Sequence, residues 1–176
     1  MLDKLLLHSI IHWFLKPFFP NLPPSSGPMT LSANCIFCKI IRQEIPSYKL
    51  FESAKTYAFL DIGPTASGHA LVIPKYCGEK LHDIPDEYLE ELLPVAKKIA
   101  VASGLNIKGM DGPGYNILQN NASIAHQVVP HVHVHMIPKR DEATGLVVGW
   151  PQPEDAKDPE HLKSLHAKIT ASLSKM

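Results

Sequence analysis

The chain has 176 residues, 45% of them hydrophobic, and its 17 basic residues balance its 17 acidic residues. This length and composition predict one compact domain with a hydrophobic core of its own. A formal net charge of zero argues against a broad nucleic-acid-binding surface, which needs an excess of Lys and Arg, but it allows a local site for a small anionic substrate. Three cysteines that include a Cys-x-x-Cys pair do not indicate a secreted disulfide framework.

Residues 1–30 are interpreted as an apolar appendage and a proline-rich linker outside the folded domain. The stretch MLDKLLLHSIIHWFLKPFF is mostly apolar, and PNLPPSSGP would break any helix. The segment is poorer in Arg and Ser than a mitochondrial leader. One hypothesis is that residues 1–20 contact a membrane surface, which would make the protein membrane-associated or mitochondrial. The alternative is an extension without a targeting role on a cytoplasmic or nuclear protein, and Met29 is a candidate start of a shorter form.

The apolar periodicity after this segment predicts an α+β domain over residues 31–150. CIFCKIIRQEI predicts a short helix, and YKLFES, YAFLDI and HALVIPK predict three strands. Residues 83–103 carry the apolar stripe of one long helix, in which Pro94 predicts a kink or a local loosening. YNILQN and HVHVHMIP predict two further strands. This order predicts an antiparallel five-stranded sheet rather than a doubly wound one. Within the extension 151–176, EHLKSLHAKITASL predicts a C-terminal helix.

Three histidines alternate with valines in the last predicted strand. Alternate residues of a strand share one face, so His131, His133 and His135 point the same way and the valines point to the core. The outer two lie about 13 Å apart in an extended strand, so they cannot share one metal ion. The three imidazoles must therefore divide between different tasks, among them nucleophile, base and ligand.

HVHVHMI resembles the motif of the histidine triad (HIT) family, which alternates histidine with apolar residues. The resemblance extends over roughly residues 35–150 through CIFCKIIRQEIPSYKLFE, YAFLDIGPTASGHALVIPK and YNILQNN, and PKRDEATGLVVGWP is similar to the tail of fungal members. The Hint branch of nucleoside phosphoramidases is the more similar one, ahead of the Fhit-type dinucleoside hydrolases. The resemblance implies the HIT-like fold, with one long and one short helix on the sheet, and a homodimer in which two sheets join.

The activity that this resemblance implies is hydrolysis of the P–N bond of purine nucleoside 5′-phosphoramidates such as AMP-NH2 and AMP-lysine. His133 would attack the α-phosphorus and form a nucleotidyl-histidine intermediate that water then hydrolyses. Its other ring nitrogen is expected to donate to a backbone carbonyl. His135 would contact phosphate oxygens and assist the leaving group, and His69 would border the same site.

The resemblance also implies a nucleotide-binding set. Asp61 would accept from the ribose hydroxyls, and Asn120 and Gln127 would lie near the phosphate. From the residues alone, the alternative is that Asp61 and Asn120 are turn residues. Val128 stands where animal Hint proteins have a serine, so only its backbone N–H is expected to reach the phosphate. Without the serine hydroxyl, a lower rate of hydrolysis is expected. Ile36, Phe37 and Ile62 would wall the base, although their spacing alone favours core positions.

The cysteines suggest a metal site. Cys35 and Cys38 have ligand spacing, which alone is weak because buried cysteines are common in cores. Cys77 follows the HALVIPK strand, at a position where some bacterial and fungal relatives use a histidine to bind structural zinc. The resemblance therefore implies zinc held by Cys35, Cys38, Cys77 and His131. The alternative is three reduced thiols and a histidine that only orients its neighbours.

Two other functions compete with the phosphoramidase. Dinucleoside polyphosphate hydrolysis would need room for a second nucleotide, which the tail GLVVGWP with Trp150 would narrow. A non-catalytic nucleotide-binding regulator is the other alternative, and nothing in the sequence favours it because the nucleophile is present. No nucleic-acid partner is expected, since no basic strand-binding extension is visible.

Overall fold

The computed structural model describes residues 31–176. The predictions for residues 1–30, including membrane contact and the alternative start at Met29, lie outside the described residues. Within the part of the chain that the structure describes, no helix combines the length and the apolar character needed to cross a membrane.

A five-stranded antiparallel sheet forms the centre of the domain, which confirms the predicted α+β class. Its order is β1-β2-β3-β5-β4, with every neighbouring pair antiparallel. β5 is an inner strand that is buried on both faces, with Val134 and Met136 on one face and Ile137 on the other. β4 lies at the edge of the sheet and exposes Tyr115 and Ile117. The strands are β1 (Lys49–Glu52), β2 (Thr56–Leu60), β3 (Ala70–Pro74), β4 (Gly114–Gln119) and β5 (Val134–Lys139).

Each face of the sheet buries its own hydrophobic cluster. Strand alternation sends Tyr57, Phe59, Leu71 and Ile73 to the face covered by α1 (Ile36–Ile41). The opposite face buries Ala58, Ala70, Val72, Val132, Val134 and Met136 against the helix α3 (Leu92–Ala102). The triad valines and Met136 thus pack against the long helix, as the alternation predicts.

The predicted long helix is divided into α2 (Asp86–Leu89) and α3, with Glu90 and Glu91 between them. Pro94 is the third residue of α3, where its missing N–H would otherwise donate to the carbonyl of Glu90. A proline is tolerated in the first turn of a helix but not in its middle, so the helix restarts just before Pro94. The sequence therefore located the weak point but not the full break.

The regular strand β5 begins at Val134, so only His135 of the three triad histidines lies inside it. Continuing the β3–β5 register would set Val132 opposite Pro74, which has no N–H to donate. The Val132 N–H donates instead to the Gly78 carbonyl at 2.9 Å. The prediction of one strand across all three histidines is wrong in this respect, although the alternation of their side chains persists.

The C-terminal extension contains α4 (Pro159–Leu173), in the region where the sequence predicts a helix. Its first turn is capped by Asp158, whose carboxylate accepts from the His161 N–H at 2.9 Å, with proline at the first helical position. Leu162, Leu165 and Ile169 are exposed.

Candidate functional site

A cavity of about 530 Å³ opens on the α1 face of the sheet. The predicted catalytic and nucleotide-binding residues line it, with one exception, Gln127. The lining includes His69, His133, His135, Ile36, Phe37, Asp61, Ile62, Asn120 and Val128.

The sheet register brings Asp61, His69 and His135 together at one point. Asp61 directly follows β2 and His69 directly precedes β3, and the Asp61 N–H donates to the His69 carbonyl at 3.0 Å. Leu71 lies opposite His135 across β3 and β5, so His69 is the diagonal neighbour of His135 on the same face. Their ring centroids are 5.1 Å apart.

The apolar part of the cavity combines core and rim residues. Phe37 is buried and sets its ring edge-on to His133 at 5.3 Å between centroids. Ile62 is 89% exposed, so it is not a core residue, and Ile36 is also exposed. Of the three residues whose spacing favoured core positions, only Phe37 is a core residue, and Ile36 and Ile62 lie at the mouth of the cavity.

His133 has the tautomer that a nucleophile requires. Its Nδ1 lies 2.6 Å from the His131 carbonyl, which only accepts, so Nδ1 carries the proton and Nε2 keeps its lone pair. This is the backbone hydrogen bond that the sequence analysis expects. Burial, the largest effect, lowers the pKa of His133 below its ordinary value. The ring is therefore neutral at neutral pH, with a free nitrogen.

A chain of hydrogen bonds also fixes the tautomer of His135. The Thr65 N–H, which can only donate, reaches His69 Nδ1 at 3.1 Å. His69 therefore carries its proton on Nε2 when neutral, and it donates to His135 Nδ1 at 2.9 Å. His135 in turn carries its proton on Nε2, where it is available as a donor. Sequence analysis missed the Thr65 N–H because a backbone donor in the GPTASG loop leaves no compositional signal.

Burial and the neighbouring imidazoles hold His135 in its neutral form. Burial, followed by the positive charges that His133 and His69 would carry, lowers the pKa of His135 to about 4. Burial likewise lowers the pKa of His69, although Asp61, with a carboxylate oxygen 3.6 Å from His69 Nδ1, opposes this shift. All of these rings are therefore uncharged at neutral pH.

Gln127 holds the loop before the triad instead of lining the cavity. Its Oε1 accepts from the Ala122 N–H at 2.7 Å, and its Nε2 donates to the carbonyls of Glu79 at 2.6 Å and Val129 at 3.1 Å. Both amide protons are therefore engaged, because each points at a backbone carbonyl. The structure does not bring Gln127 together with the other predicted nucleotide-binding residues.

A second group of side chains lies beside the cavity. One ligand atom from each of Cys35, Cys38, Cys77 and His131 lies within 4.8 Å of all the others. His131 Nδ1 lies 3.4 Å from Cys35 Sγ and 3.7 Å from Cys38 Sγ. His131 Nε2 donates to the Pro74 carbonyl at 3.0 Å, which leaves Nδ1 unprotonated towards the sulfurs. Three thiols and one oriented imidazole are the donor set of a closed tetrahedral zinc site, so these residues fit zinc.

The sheet, the alternating histidines and the adjoining cavity define a histidine triad protein. Residues 42–142 match the model of the HIT domain. The chain belongs to the HIT family, which confirms the resemblance found in the sequence.

The relatives with high identity are fungal enzymes. The chain is 58% identical over 148 residues to adenosine 5′-monophosphoramidase HNT1 of Saccharomyces cerevisiae, covering 84% of this chain and 88% of that protein. It is 57% identical over 149 residues to the protein of the same name from Candida albicans, covering 84% and 97%. Among solved structures, a histidine triad nucleotide-binding protein from Candida albicans matches with a TM-score of 0.77 and 58% identity, over 80% of this chain and 98% of that chain.

Proposed function

We propose that this protein is an adenosine 5′-monophosphoramidase, which cleaves the P–N bond of AMP phosphoramidates and releases AMP and the amine. The observation that carries the proposal is the pair of fixed tautomers in the cavity: His133 with a free Nε2 and His135 with a protonated Nε2. A nucleophile and a hydrogen-bond donor side by side suit displacement at an anionic phosphorus. The fungal relatives that carry this enzyme name support the same reaction.

The reaction proceeds in two displacements. His133 Nε2 attacks the α-phosphorus as the P–N bond breaks, and the amine leaves in neutral form because its nitrogen is protonated beforehand. His133 is then covalently bonded to phosphorus, with its Nδ1–H still donating to the His131 carbonyl. His135 Nε2–H donates to a phosphoryl oxygen and stabilises the charge that accumulates there. Water then attacks phosphorus, the N–P bond breaks, and AMP and one proton are released.

The nucleoside takes the apolar part of the cavity. Phe37 and the exposed Ile36 and Ile62 provide stacking area, which favours a purine without strong selection between purines. The Asp61 carboxylate accepts from the ribose hydroxyls, and Asn120 contacts the phosphate side. Val128 contributes no hydroxyl, so a phosphate contact at this position comes from its backbone N–H.

The test compares substrates and histidine variants. Wild-type protein is incubated with AMP-NH2, AMP-lysine and a diadenosine triphosphate, and AMP release is followed. We expect faster turnover of the phosphoramidates, at least about a thousandfold less activity in His133→Ala, and no loss in His82→Ala, whose exposed ring lies outside the cavity. Faster turnover of the dinucleotide, or full activity in His133→Ala, would contradict the proposal.

The Cys35, Cys38, Cys77 and His131 cluster is proposed to hold one structural zinc ion. The close approach of the four donors and the orientation of His131 by the Pro74 carbonyl support this assignment. Bound there, zinc would cross-link the start of α1, the segment after β3 and the segment before β5. Metal analysis of purified, folded protein tests it, and a zinc content below about a tenth of an equivalent would contradict it.

A homodimer that joins two sheets is proposed from the family resemblance, and the edge of the sheet supports it. β4 is an edge strand with Tyr115 and Ile117 exposed, and Leu93 of α3 lines a surface depression with them. Ile117→Lys places a charge on this edge and is expected to give a monomer in light scattering. The matched control is Leu50→Lys on the opposite edge strand β1, which should remain dimeric.

A further inference from the structure

The cavity spans four strands of the sheet, and the reacting histidines separate its two ends. On the α1 face, Phe59 of β2 lies opposite Leu71 of β3, and Leu71 lies opposite His135 of β5. His135 in turn lies opposite Leu118 of β4, and all four residues line the cavity. Neighbouring strands are about 4.8 Å apart, so Leu118 lies roughly 14 Å from Phe59, on the far side of His135.

The residues that would contact the nucleobase belong to the β2 end of this row. Phe37 packs edge-on against Phe59, with 5.7 Å between the ring centroids, and both share a buried cluster with Leu71. Ile36 precedes Phe37 in α1, and Ile62 follows closely after β2. The nucleoside therefore fills the cavity between α1 and the histidines, and it leaves the lining on the β4 side free for another part of the substrate.

A second apolar group lines the cavity on the β4 side of His135. It consists of Leu118, Ile137 and Leu146. Ile137 is two residues beyond His135 in β5, so its side chain lies on the same face of the sheet, and it is buried. Leu118 and Leu146 are half-buried, so apolar surface remains open to a bound molecule. The proposed reaction assigns no task to these three side chains.

The tail after β5 reaches the cavity because it turns back at Gly145. Its φ is +86°, in the left-handed region that glycine enters at no steric cost. A Cβ at this position would lie 2.7 Å from the Pro138 carbonyl oxygen, which is too close for a side chain. Asp141 closes the turn before it, with Oδ1 accepting from the Thr144 N–H at 2.8 Å. Gly145 thus packs its backbone on the end of β5 and brings Leu146 to the cavity.

The geometry of displacement at phosphorus relates this group to the leaving amine. Attacking and leaving atoms are roughly in line, so the leaving nitrogen lies across phosphorus from His133 Nε2. The ribose connects phosphorus to the nucleobase at the β2 end, where Asp61 also lies. Within the cavity, the wall that remains for a substituent on the leaving nitrogen is the one on the β4 side.

We infer that Leu118, Ile137 and Leu146 form a subsite for an apolar substituent on the leaving amine, and that Gly145 is the positioning residue that seats Leu146 in it. This inference rests on the proposed phosphoramidase function and adds the class of amine that the site favours: primary amines with an alkyl chain or an aromatic ring. A charged group at the same place would lose hydration against three aliphatic side chains without gaining a partner.

The experiment uses AMP phosphoramidates of three amines with similar basicity: methylamine, hexylamine and 1,5-diaminopentane. The hexyl and aminopentyl chains have equal length, but the second ends in an ammonium group. For wild type we expect kcat/KM to be roughly tenfold higher with the hexyl compound than with the aminopentyl compound, mainly through KM, because several methylene groups leave water.

Two variants remove the subsite by different routes. Leu146→Ala shortens the side chain, and Gly145→Ala places a Cβ against the Pro138 carbonyl and displaces the turn. Both should reduce the preference for the hexyl compound to about twofold or less, with a smaller loss for the methylamine compound. Leu146→Met keeps the side-chain volume and should preserve the preference. The matched control is Val147→Ala, at a residue 87% exposed and absent from the cavity lining, which should behave as wild type.

Melting temperatures of all variants are compared first, and Leu146→Ala decides the question alone if Gly145→Ala does not fold. Equal kcat/KM of wild type for the hexyl and aminopentyl compounds, or an undiminished preference in Leu146→Ala, would overturn the inference. An undiminished preference in a folded Gly145→Ala would overturn the role of Gly145. If wild type hydrolysed none of the three compounds, the proposed function would be refuted instead, and the affinities of the hexyl and aminopentyl compounds for His133→Ala would still test the subsite.

Discussion

His133 donates its Nδ1–H to the main-chain carbonyl of His131 at 2.6 Å, and the side chain of His131 faces Cys35 and Cys38. One residue therefore takes part in both groups of side chains. Its imidazole belongs to the proposed zinc site, and its carbonyl sets the tautomer and orientation of the proposed nucleophile. A movement of His131 would also move the carbonyl that accepts from His133 Nδ1. The proposed zinc site and the proposed reaction site therefore share one residue.

This coupling predicts the consequence of losing one ligand. Cys77→Ser should reduce zinc affinity by about tenfold or more, because serine is a poor zinc ligand, and should lower both the melting temperature and kcat. Cys77→His keeps a ligand nitrogen at the same position and should retain zinc. The measurements are metal content and thermal unfolding with and without a chelator. Equal metal content and stability in Cys77→Ser and wild type would contradict the prediction.

The hydrogen bond between His69 and His135 predicts that His69 acts as a positioning residue. His69→Leu removes the donor to His135 Nδ1 and allows the other tautomer, whose Nε2 would repel phosphoryl oxygens. We expect kcat to fall by about tenfold or more with a smaller change in KM. His69→Gln offers an amide N–H near the position of His69 Nε2 and should recover part of the rate. Nitrogen NMR shifts of His135 report its tautomer directly, and an unaltered tautomer in His69→Leu would argue against this role.

The depressed pKa of His135 predicts how stability depends on pH. Burial and the neighbouring imidazoles lower this pKa to about 4 in the folded state, against an ordinary value near 6.5. The unfolded chain therefore binds more protons between these values, so the free energy of unfolding falls as pH decreases from about 6.5 to about 4. Below about 4 both states are protonated and this contribution stays constant. His135→Asn should flatten the dependence of the melting temperature on pH across this window, and an unchanged slope would count against it.

The bonds of Gln127 predict a role in holding the loop. Gln127→Leu removes the acceptor of the Ala122 N–H and both donors to backbone carbonyls, and should lower the free energy of unfolding by about 1–3 kcal/mol. Gln127→Glu keeps the acceptor oxygen but not the donors and should be intermediate. Chemical denaturation measures the stability, and KM for AMP-lysine should rise as the loop loosens. If Gln127 instead bound phosphate, activity would fall without any loss of stability.

The sequence predicted those parts of the fold that depend on local periodicity. Val132, Val134 and Met136 were expected on the core face because strand side chains alternate, and they are buried against α3. The first residue of β5 could not be predicted in this way, because it depends on a strand that is distant in the sequence. Pro74 of β3 offers no N–H opposite Val132, and no residue near the triad indicates this. The position of β5 between β3 and β4 also depends on tertiary packing, because a strand inside the sheet is buried on both faces.

The site divides in the same way. Strand geometry alone showed that His131 and His135 could not share one metal ion. The resemblance to the HIT motif indicated His133 as the nucleophile. The cavity then separated residues that sequence treats alike: Phe37 is core while Ile62 is exposed at the mouth, and Gln127 braces the loop while its neighbour His126 enters the lining. His126 was missed because its left-handed backbone angle has no signature in the sequence around it.

The sequence by itself determined the family and the spacing of the histidines, because both depend on residue type and order along the chain. Only the tertiary structure decided which nitrogen of each imidazole carries its proton. That choice depends on backbone donors and acceptors from distant segments, Thr65 for His69 and the carbonyls of Pro74 and His131 for the other rings. A hydrogen-bond partner is a property of position in space, so it becomes fixed only when the strands have paired.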